Sequence, residues 1–377
     1  MSLCVVQLAP AMTTGGVERS TLEVARALVA AGHRSVVVSA GGRLVPQLQA
    51  EGSEHITLDI GRKSLTTLRH VLSLRRLFTE LKPDIVHARS RLPAWLAQFA
   101  IASQQAPRPH FVTTAHGLNA PGRYSAIMSR GERVIAVSNT VRDYLLSHYP
   151  VDPARVVVIP RGIDPAEFPY GHRPDESWQA AFFAEFPQLV GAPLLTLPGR
   201  GTRLKGHIDA IELLAGLKTR GVEARLLLVG MVEAGREAYV AEMEAAATAR
   251  GVRDWVAFSV PRSDVRDVYA QSALVLQLSN KPEAFGRTVV EALALCRPVC
   301  GYAYGGVGEL LTELYPAGRV PPRDMARLIE RTAELLRLAP AIPPLESYRL
   351  ADMQSATLAL YAQLVGDAAP AARIPEA

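Results

Sequence analysis

Two glutamates carry the most informative spacing in this chain. Glu283 and Glu291 stand either side of Gly286-Arg287-Thr288, where a glycine opens a helical pattern. The first turn of a helix has free backbone N–H groups and a partial positive charge, so this segment suits a phosphate. Glu291 lies about two turns into the predicted helix, on the order of 10 Å along its axis. The two acids can therefore hold opposite ends of one elongated ligand, and a nucleotide-sugar has that shape.

A glycine-rich turn with two cations precedes this pair. Gly199-Arg200-Gly201 and Lys205-Gly206 follow the predicted strand Leu194–Leu197 and lead into a helix. Arg200 and Lys205 are placed where a pyrophosphate would lie, and cations there stabilise the charge that develops on a departing phosphate. A solvated basic loop is the alternative. The sequence contains no Asp-x-Asp, so a metal-held diphosphate is not indicated, and we expect neither a metal nor another cofactor.

The first half of the chain has a similar arrangement at the ends of strands. Gly15 and Gly16 follow the predicted strand Leu3–Ala9, and His116 follows the predicted strand Phe111–Ala115. Ligands bind at the carboxyl ends of the strands in doubly wound sheets, so these residues lie where a ligand would be. A simple tight turn and a structural histidine are the alternatives. The glycines lack the G-x-G-x-x-G spacing of dinucleotide sites, so NAD binding is not indicated.

The elements that must position these residues follow an α/β pattern. Short apolar strands alternate with helical patterns, which is typical of parallel sheets with helices on both faces. We predict six strands in residues 1–168 and five in residues 193–345, hence two doubly wound sheets. Residues 169–192 are rich in proline and aromatic residues and form a packed connector with a short helix. Residues 346–377 are predicted to form a terminal helix that packs back on the first domain, followed by a frayed tail.

Length and composition agree with two domains. The 377 residues, 49% of them hydrophobic, are enough for two cores. No run of about 18 apolar residues occurs, so no spanning helix is predicted. The N-terminus has no basic segment before its first strand pattern, which argues against a secretory signal. The three cysteines, Cys4, Cys296 and Cys300, have no metal-ligand spacing and fit a reducing compartment, so we predict a cytoplasmic protein.

Positive charge is concentrated in one stretch. Between Arg62 and Arg91, eight Lys or Arg residues stand against two acids. Apolar residues recur there at helical spacing, which predicts an amphipathic helix docked on a sheet: Leu65, Leu68, Leu72, Phe78 and Leu81. The arginines of this stretch, Arg69, Arg75 and Arg76, face solvent alone, or else attract anionic lipid or a phosphorylated acceptor. Nucleic acid is not expected, because the basic residues are not interleaved with aromatic residues.

Taken together and in this order, the motifs are similar to those of the retaining GT-B glycosyltransferases with the E-x7-E pattern. The chain therefore resembles glycosyltransferase family 4. The resemblance implies two Rossmann-like domains that face each other across a cleft, with the donor bound mainly to the second. It implies that His116 contacts the donor sugar and that Arg200 and Lys205 neutralise the leaving diphosphate. Glu283 would bind hydroxyls of the donor sugar, and Glu291 would bind the ribose. The implied catalytic residues are His116, Arg200, Lys205 and Glu283.

Backbone groups complete the implied donor site. Gly15 and Gly16 correspond to the family's glycine loop, which faces the donor phosphates and the acceptor. Amides in the Glu283–Glu291 segment would face the diphosphate, namely those of Phe285, Gly286, Arg287 and Thr288. One position departs from the family, because Arg161-Gly162-Ile163-Asp164 has arginine where the family has asparagine. The consequence of Arg161 is open at this stage.

The resemblance implies a reaction and its partners. A hexose or N-acetylhexosamine would move from a nucleotide diphosphate, UDP before GDP or ADP, to a hydroxyl of a glycan or glycolipid with retention of the anomeric configuration. Pro160–Pro174 and Pro198–His207 resemble bacterial enzymes that build lipopolysaccharide core. The inner face of the cytoplasmic membrane is a further expected partner. The alternatives are a nucleotide-sugar epimerase of the same architecture and a non-catalytic two-domain sugar-binding protein.

Overall fold

The computed structural model describes residues 2–13, 15–338 and 340–367. These residues form two units. Unit 1 contains the described residues up to Arg161 and those from Leu350 onward, and unit 2 runs from Gly162 to Arg349. The division thus falls before the end at residue 168 that the sequence suggested, and the connector 169–192 belongs to unit 2. The predicted tail begins beyond Gly366; Asp367 is instead the last residue of the final helix, and residues 368–377 lie outside the described residues.

Unit 1 is built on a parallel sheet of seven strands in the order β3-β2-β1-β4-β5-β6-β7. The strands are β1 Cys4–Leu8, β2 Arg34–Ser39, β3 Glu54–Thr57, β4 Ile85–Ala88, β5 His110–Ala115, β6 Arg133–Ala136 and β7 Val156–Val158. The order reverses between β1 and β4, and in doubly wound sheets the ligand crevice lies at the carboxyl ends of such strands.

Helices cover both faces of this sheet. They are α1 Gly16–Ala30, α2 Val45–Ala50, α3 His70–Leu81, α4 Arg91–Ala102 and α5 Asn139–His148. Successive residues of a strand point to opposite faces. Val6 accordingly packs in the cluster that includes residues of α3 and α4, while Val5 packs in the cluster that includes Val24 and Leu28 of α1. Burial on both faces explains why these strands read as continuous apolar runs rather than as alternating ones.

Unit 2 repeats the design with six parallel strands in the order β10-β9-β8-β11-β12-β13. The strands are β8 Leu194–Pro198, β9 Arg225–Val229, β10 Val256–Phe258, β11 Leu274–Gln277, β12 Val299–Tyr302 and β13 Arg319–Val320. The helices are α6 Glu176–Glu185, α7 His207–Thr219, α8 Glu237–Ala249, α9 Val265–Gln271, α10 Arg287–Ala294, α11 Gly306–Leu314 and α12 Met325–Leu338. The prediction of two doubly wound parallel sheets is therefore confirmed.

The connector packs within unit 2, and the last helix packs within unit 1. Phe182 and Phe186 of the α6 segment pack with Leu227 and Val229 of β9, which accounts for the aromatic residues of the connector. The last helix, α13 Leu350–Asp367, returns to unit 1. Its buried residues, among them Met353, Leu360 and Tyr361, share a cluster with Val24 and Leu28 of α1.

Each sheet has one strand more than the sequence predicted. The additional strands are β3 and β13, and both stand at a sheet edge. In β3 the side chains are exposed or half-buried, and β13 has only two residues. Such strands lack a buried apolar run, so the pattern that revealed the central strands is missing from them.

The basic stretch differs from its prediction. A short 3-10 helix, Leu65–Arg69, precedes α3, so the stretch is not one continuous helix. Phe78 is buried as expected, but three of the predicted docking residues are exposed: Leu65 by 87%, Leu68 by 53% and Leu72 by 59%. The buried face of α3 is narrower than the apolar pattern, and it uses Leu74 with Phe78. Among the described residues, no helix is both long and apolar enough to cross a bilayer.

Candidate functional site

The loop between β8 and α7 is shaped by a glycine that no other residue can replace without strain. Gly206 has φ 75°, and a Cβ atom there would stand 2.1 Å from the carbonyl oxygen of Leu278. Residues that have a side chain rarely adopt that backbone conformation. The loop therefore lies against the end of β11, and Lys205 immediately precedes this contact.

Lys205 and Glu283 form the central ion pair of unit 2. The Lys205 ammonium donates a hydrogen bond to Glu283 Oε1 at 2.6 Å, and both side chains are only partly exposed, by 30% and 24%. The Ser279 hydroxyl donates to the same oxygen. Ser279 was missed in the sequence because a single serine after a strand has no distinctive spacing. The contacts fix one carboxylate oxygen of Glu283.

A second glycine pair supports the backbone around Glu283. Gly306 N–H donates to the carbonyl of Glu283 at 2.8 Å. A Cβ atom on Gly306 would stand 2.6 Å from the carbonyl oxygen of Ala284, and one on Gly305 would stand 2.6 Å from that of Glu283. The start of α11 thus packs directly on the segment that carries Glu283, as the glycines in Gly305-Gly306 require.

The N-terminus of α10 presents backbone groups as the sequence suggested. Gly286 lies before the helix with φ 108°, and no side chain caps it. The first N–H groups of a helix have no partner within it. Phe285 is buried, while Thr288 is half-buried. This end of α10 can accept an anion.

Glu291 is buried and already has a cationic partner. Its residue is 7% exposed, and Arg287 Nε donates to Glu291 Oε1 at 2.9 Å. A buried carboxylate requires such compensation. A ribose hydroxyl at Glu291 would therefore share the carboxylate with Arg287. Arg287 also places a cation beside the helix N-terminus, where the partial charge is positive and an anion would balance both.

Arg200 stands apart from the other predicted residues. Its side chain is exposed, and in the described part of the chain it has no hydrogen bond or ion pair. The structure brings Lys205 to Glu283 and Arg287 to Glu291, but it does not bring Arg200 to any of them. The Arg200 guanidinium is thus available to an incoming anion.

His207 was not identified from the sequence as a titratable group of interest. It is fully buried at the start of α7, and burial lowers its pKa to about 4. Its Nδ1 is 3.2 Å from the Tyr239 hydroxyl. The ring is neutral at physiological pH and packs beneath the glycine loop.

In unit 1, Arg161 joins the glycine turn to His116. Arg161 is 6% exposed, and one guanidinium nitrogen donates to the carbonyl of Gly16. The other donates to His116 Nδ1 at 2.6 Å. Gly15 has φ 143°, and α1 begins at Gly16. The arginine that departs from the family pattern is therefore a structural bridge, which its position in the sequence could not reveal.

The same contact defines the state of His116. Arginine has no acceptor, so Nδ1 accepts the hydrogen bond and the ring proton resides on Nε2. Burial, followed by the charges of Arg161 and Arg89 and by His87, lowers the His116 pKa well below its usual value. His116 is thus neutral, and its buried Nε2–H has no hydrogen-bond partner among the described residues.

Each of the two units matches a known protein family. A family model described as "Glycosyltransferase Family 4" matches residues 14–167, and one described as "Glycosyl transferases group 1" matches residues 181–345. The two matches cover most of the chain and fall on the two sheets in turn.

A curated relative is similar over part of the chain. The D-inositol 3-phosphate glycosyltransferase of Xylanimonas cellulosilytica is 28% identical over 246 residues. The match covers 61% of this chain and 58% of that protein, so this chain spans less than two thirds of the relative.

Two solved structures are similar over nearly the whole chain. A glycosyltransferase from Rickettsia africae ESF-5 is 26% identical with a TM-score of 0.81, and the match covers 97% of this chain and 100% of that one. HepE from Anabaena, solved in complex with UDP and glucose, is 19% identical with a TM-score of 0.77, covering 96% and 100%. At 19% identity the likeness to HepE shows a shared fold.

Proposed function

Because this chain belongs to the family-4 glycosyltransferases of GT-B fold, we propose that it is a retaining transferase that moves a sugar from a nucleotide diphosphate to a glycan hydroxyl. The observation that carries the proposal is the Lys205–Glu283 ion pair. It lies between a glycine loop that bears the exposed Arg200 and the uncapped N-terminus of α10. Cations, free amides and a fixed carboxylate together suit a sugar diphosphate.

Charge stabilisation is the main chemical contribution of unit 2. As the bond between the anomeric carbon and the phosphate oxygen breaks, its electron pair stays on the diphosphate. Arg200, Lys205 and the amides of Gly286, Arg287 and Thr288 stabilise that negative charge, and groups fixed beforehand do so without a reorganisation cost. Glu283 binds hydroxyls of the donor sugar with the oxygen that Lys205 and Ser279 leave accessible.

Retention follows from attack on the face that the diphosphate leaves. The acceptor oxygen forms its bond to the anomeric carbon on that face, and a departing phosphate oxygen takes the acceptor proton. His116, neutral with a proton on Nε2, donates a hydrogen bond to the donor sugar. Gly15 and Gly16 have no side chains, so the phosphates and the acceptor can approach the backbone closely at these residues. We propose no metal in this mechanism.

UDP is the proposed nucleotide, with a hexose or N-acetylhexosamine as the sugar. The complex of HepE with UDP and glucose supports this choice, since that protein has the same fold. The proposed acceptor is a bacterial surface glycan, with lipopolysaccharide core as the first candidate from the resemblance of Pro160–Pro174 and Pro198–His207. The curated relative's name, D-inositol 3-phosphate glycosyltransferase, adds phosphorylated polyols to the acceptors that should be tested.

A membrane-facing surface is the proposed location of acceptor capture. Leu65, Leu68 and Leu72 are exposed beside the arginines Arg69, Arg75 and Arg76 of the same stretch, which are exposed as well. Exposed apolar residues within a basic helix favour the interface of an anionic bilayer. We therefore place the protein at the inner face of the cytoplasmic membrane, as a peripheral protein.

An acceptor-dependent transfer assay tests the function. Purified protein is incubated in EDTA with UDP-, GDP- and ADP-sugars, with and without core oligosaccharide or sugar phosphates, and nucleotide release and product configuration are measured. We expect release of one nucleotide only with acceptor present and an unchanged anomeric configuration. Conversion of the donor to another nucleotide-sugar without acceptor would indicate the epimerase instead.

A further inference from the structure

Unit 1 contains a small pocket that shares only His116 with the proposed donor site. Its volume is about 210 Å³, and it opens where β4 and β5 end. Drug-sized ligands occupy pockets of about 300–1,000 Å³, so this one fits a single small polar group. It is lined by Val17, Arg89, Ser90, Arg91, Thr114, Ala115, His116, Gly117, Asn119 and Met128, with no carboxylate among them.

Arg89 is a buried cation with neutral partners. It is 3% exposed, and its Nε donates to Gln7 Oε1 at 3.0 Å. A further nitrogen donates to the same oxygen, and the remaining one is 3.5 Å from Ser20 Oγ. Burial lowers the pKa of Arg89, and the smaller opposing effects come from Tyr361 and then Glu23, whose Oε1 accepts a hydrogen bond from Arg19 at 3.3 Å. A buried charge usually has a counter-charge in direct contact, and Arg89 instead lines this pocket.

Arg91 adds a second cation at the entrance. It donates to Ser125 Oγ at 3.1 Å, and its guanidinium lies 5.1 Å from the ring centroid of Tyr124. Both partners are neutral. Arg91 is also the first residue of α4, and no side chain caps that helix. Two guanidinium groups and the positive end of a twelve-residue helix thus converge on one cavity.

Uncharged donors complete the lining. The buried His116 Nε2–H has no partner among the described residues, but it is assigned to the donor sugar in the proposed reaction and is not counted here. The Ser90 hydroxyl and the Asn119 amide form no hydrogen bond through their side chains in the described part of the chain. Two cations surrounded by several donors provide the set that a phosphate needs, since its oxygens accept many hydrogen bonds.

We propose that this pocket, with Arg89 and Arg91 as its anchors, binds a phosphoryl group carried by the acceptor. The inference rests on the proposed function and narrows its acceptor to a phosphorylated sugar, polyol or lipid headgroup. Such a group would hold the acceptor beside His116 while its hydroxyl attacks the donor. Arg91 determines specificity at the entrance, and Arg89 contacts the same phosphoryl oxygens from beneath.

Calorimetric binding to the full chain tests the proposal. UDP is added to saturation so that the diphosphate site of unit 2 is occupied, and glucose 6-phosphate, inorganic phosphate and glucose are then titrated. If UDP does not bind, the Lys205→Ala variant is titrated instead, because it lacks the cation proposed for the diphosphate site. The variant Arg91→Gln removes the pocket cation, and Arg62→Gln removes an exposed arginine of the same basic stretch as a matched control.

We expect both phosphates to bind and glucose not to bind. Arg91→Gln should weaken the binding of both phosphates roughly tenfold or more, which is the effect of one charge-assisted contact. Arg62→Gln should weaken their binding by less than about twofold. Arg89→Lys, which keeps the charge but loses the planar contact, should weaken them to an intermediate extent. No phosphate binding, or equal effects of Arg62→Gln and Arg91→Gln, would overturn the site.

A vesicle arm separates the two sources of phosphate. Phosphatidylcholine vesicles with and without phosphatidic acid are sedimented with both variants. If Arg91→Gln weakens binding of phosphatidic acid vesicles as well as of glucose 6-phosphate, the pocket accepts a lipid headgroup. If it weakens binding of glucose 6-phosphate alone, the pocket takes a soluble acceptor; either result supports the pocket. UDP binding without phosphate binding would refute this inference alone, whereas phosphate binding without UDP binding would refute the donor site alone.

Discussion

At the scale of single residues, the sequence predicted His116 as a site residue but did not predict its hydrogen-bond partner. Its position after a strand predicted a residue at the ligand edge, and the structure adds Arg161 as the donor to Nδ1. Arg161 also holds the carbonyl of Gly16. The turn and the histidine are thus connected by a side chain from a distant segment. No local pattern encodes a contact between residues so far apart in the chain.

Replacing Arg161 should change the titration of His116. Arg161→Asn removes a nearby positive charge, so we expect the His116 pKa to rise, yet to stay below about 6.5 because burial is the larger cause. The His116 ring is neutral in the folded state, so the free energy of unfolding falls as the pH drops below the pKa that the ring has in the unfolded chain. Because the variant has the higher His116 pKa in the folded state, its loss of stability should be smaller. NMR titration of the histidine rings measures the shift.

Arg155→Asn is the matched control for this titration. Arg155 also donates to backbone carbonyls of unit 1, those of Arg130 and Gly131. It is not among the charges that act on His116. An unchanged His116 pKa in Arg161→Asn, or an equal rise in both variants, would contradict the bridge.

The two members of the Lys205–Glu283 pair should affect different steps, Lys205 the binding of the nucleotide and Glu283 the transfer. Lys205→Ala removes the cation proposed for the diphosphate, so we expect UDP to bind roughly tenfold or more weakly. Glu283→Ala should remove most transfer but leave UDP bound, because Glu283 is proposed to contact the sugar. Isothermal titration and the transfer assay measure the two effects.

Arg203→Ala provides the comparison within the same loop. Arg203 pairs with Glu242 at 2.5 Å on the surface, where the two side chains are 74% and 40% exposed. Exposed pairs contribute little, so UDP affinity and transfer should stay near those of the unaltered protein. Equal losses in Arg203→Ala and Lys205→Ala would mean that the whole loop, and not the Lys205 ammonium, had been disturbed.

At the scale of elements, glycines fix where the loops meet the strands. The sequence predicted the central strands and the helix after Gly286 because their patterns are local. It did not predict that Gly206 touches Leu278 or that Gly306 packs on Ala284, since those approaches join separate loops. It also missed β3 and β13, whose residues lack an apolar run.

Gly206→Ala should destabilise unit 2 strongly. The left-handed backbone and the 2.1 Å approach to the Leu278 oxygen both oppose a side chain. We expect a loss of about 3 kcal/mol in the free energy of unfolding, measured by urea denaturation. Gly221→Ala has a similar φ of 71° with open space around it and should lose only about 1 kcal/mol. Equal losses would show that the close approach does not matter.

The stretch before and within α3 should bind anionic vesicles. Arg69→Glu, Arg75→Glu and Arg76→Glu together should weaken binding by roughly 1 kcal/mol for each arginine at the membrane surface. Leu68→Ser with Leu72→Ser should weaken it further by removing apolar contact. Sedimentation with phosphatidylglycerol vesicles measures both, and Val190→Ser, at an exposed apolar residue of unit 2, is the control. Unaltered sedimentation of the arginine variant would leave this stretch as a solvated surface.

At the scale of the whole molecule, the chain passes between the units twice. The crossings occur after Arg161 and before Leu350, and within unit 2 Ile163 pairs with Arg349. Alternating strands and helices were enough to predict two parallel sheets. The pairing of Ile163 with Arg349 joins distant segments, and the sequence has no signal for it. The residues of the proposed reaction are divided between the units, with His116 in unit 1 and Lys205 and Glu283 in unit 2.

The proposed metal-independent site for a nucleoside diphosphate in unit 2 can be tested by the melting temperature of the protein with ligand present. The protein is heated in EDTA with UDP, GDP, ADP, CMP and their common sugar conjugates, since a ligand that binds only the folded state raises the transition. We predict a clear rise with UDP and UDP-sugars, none with CMP, and loss of the rise in Lys205→Ala. No rise with any diphosphate would contradict the proposed diphosphate site.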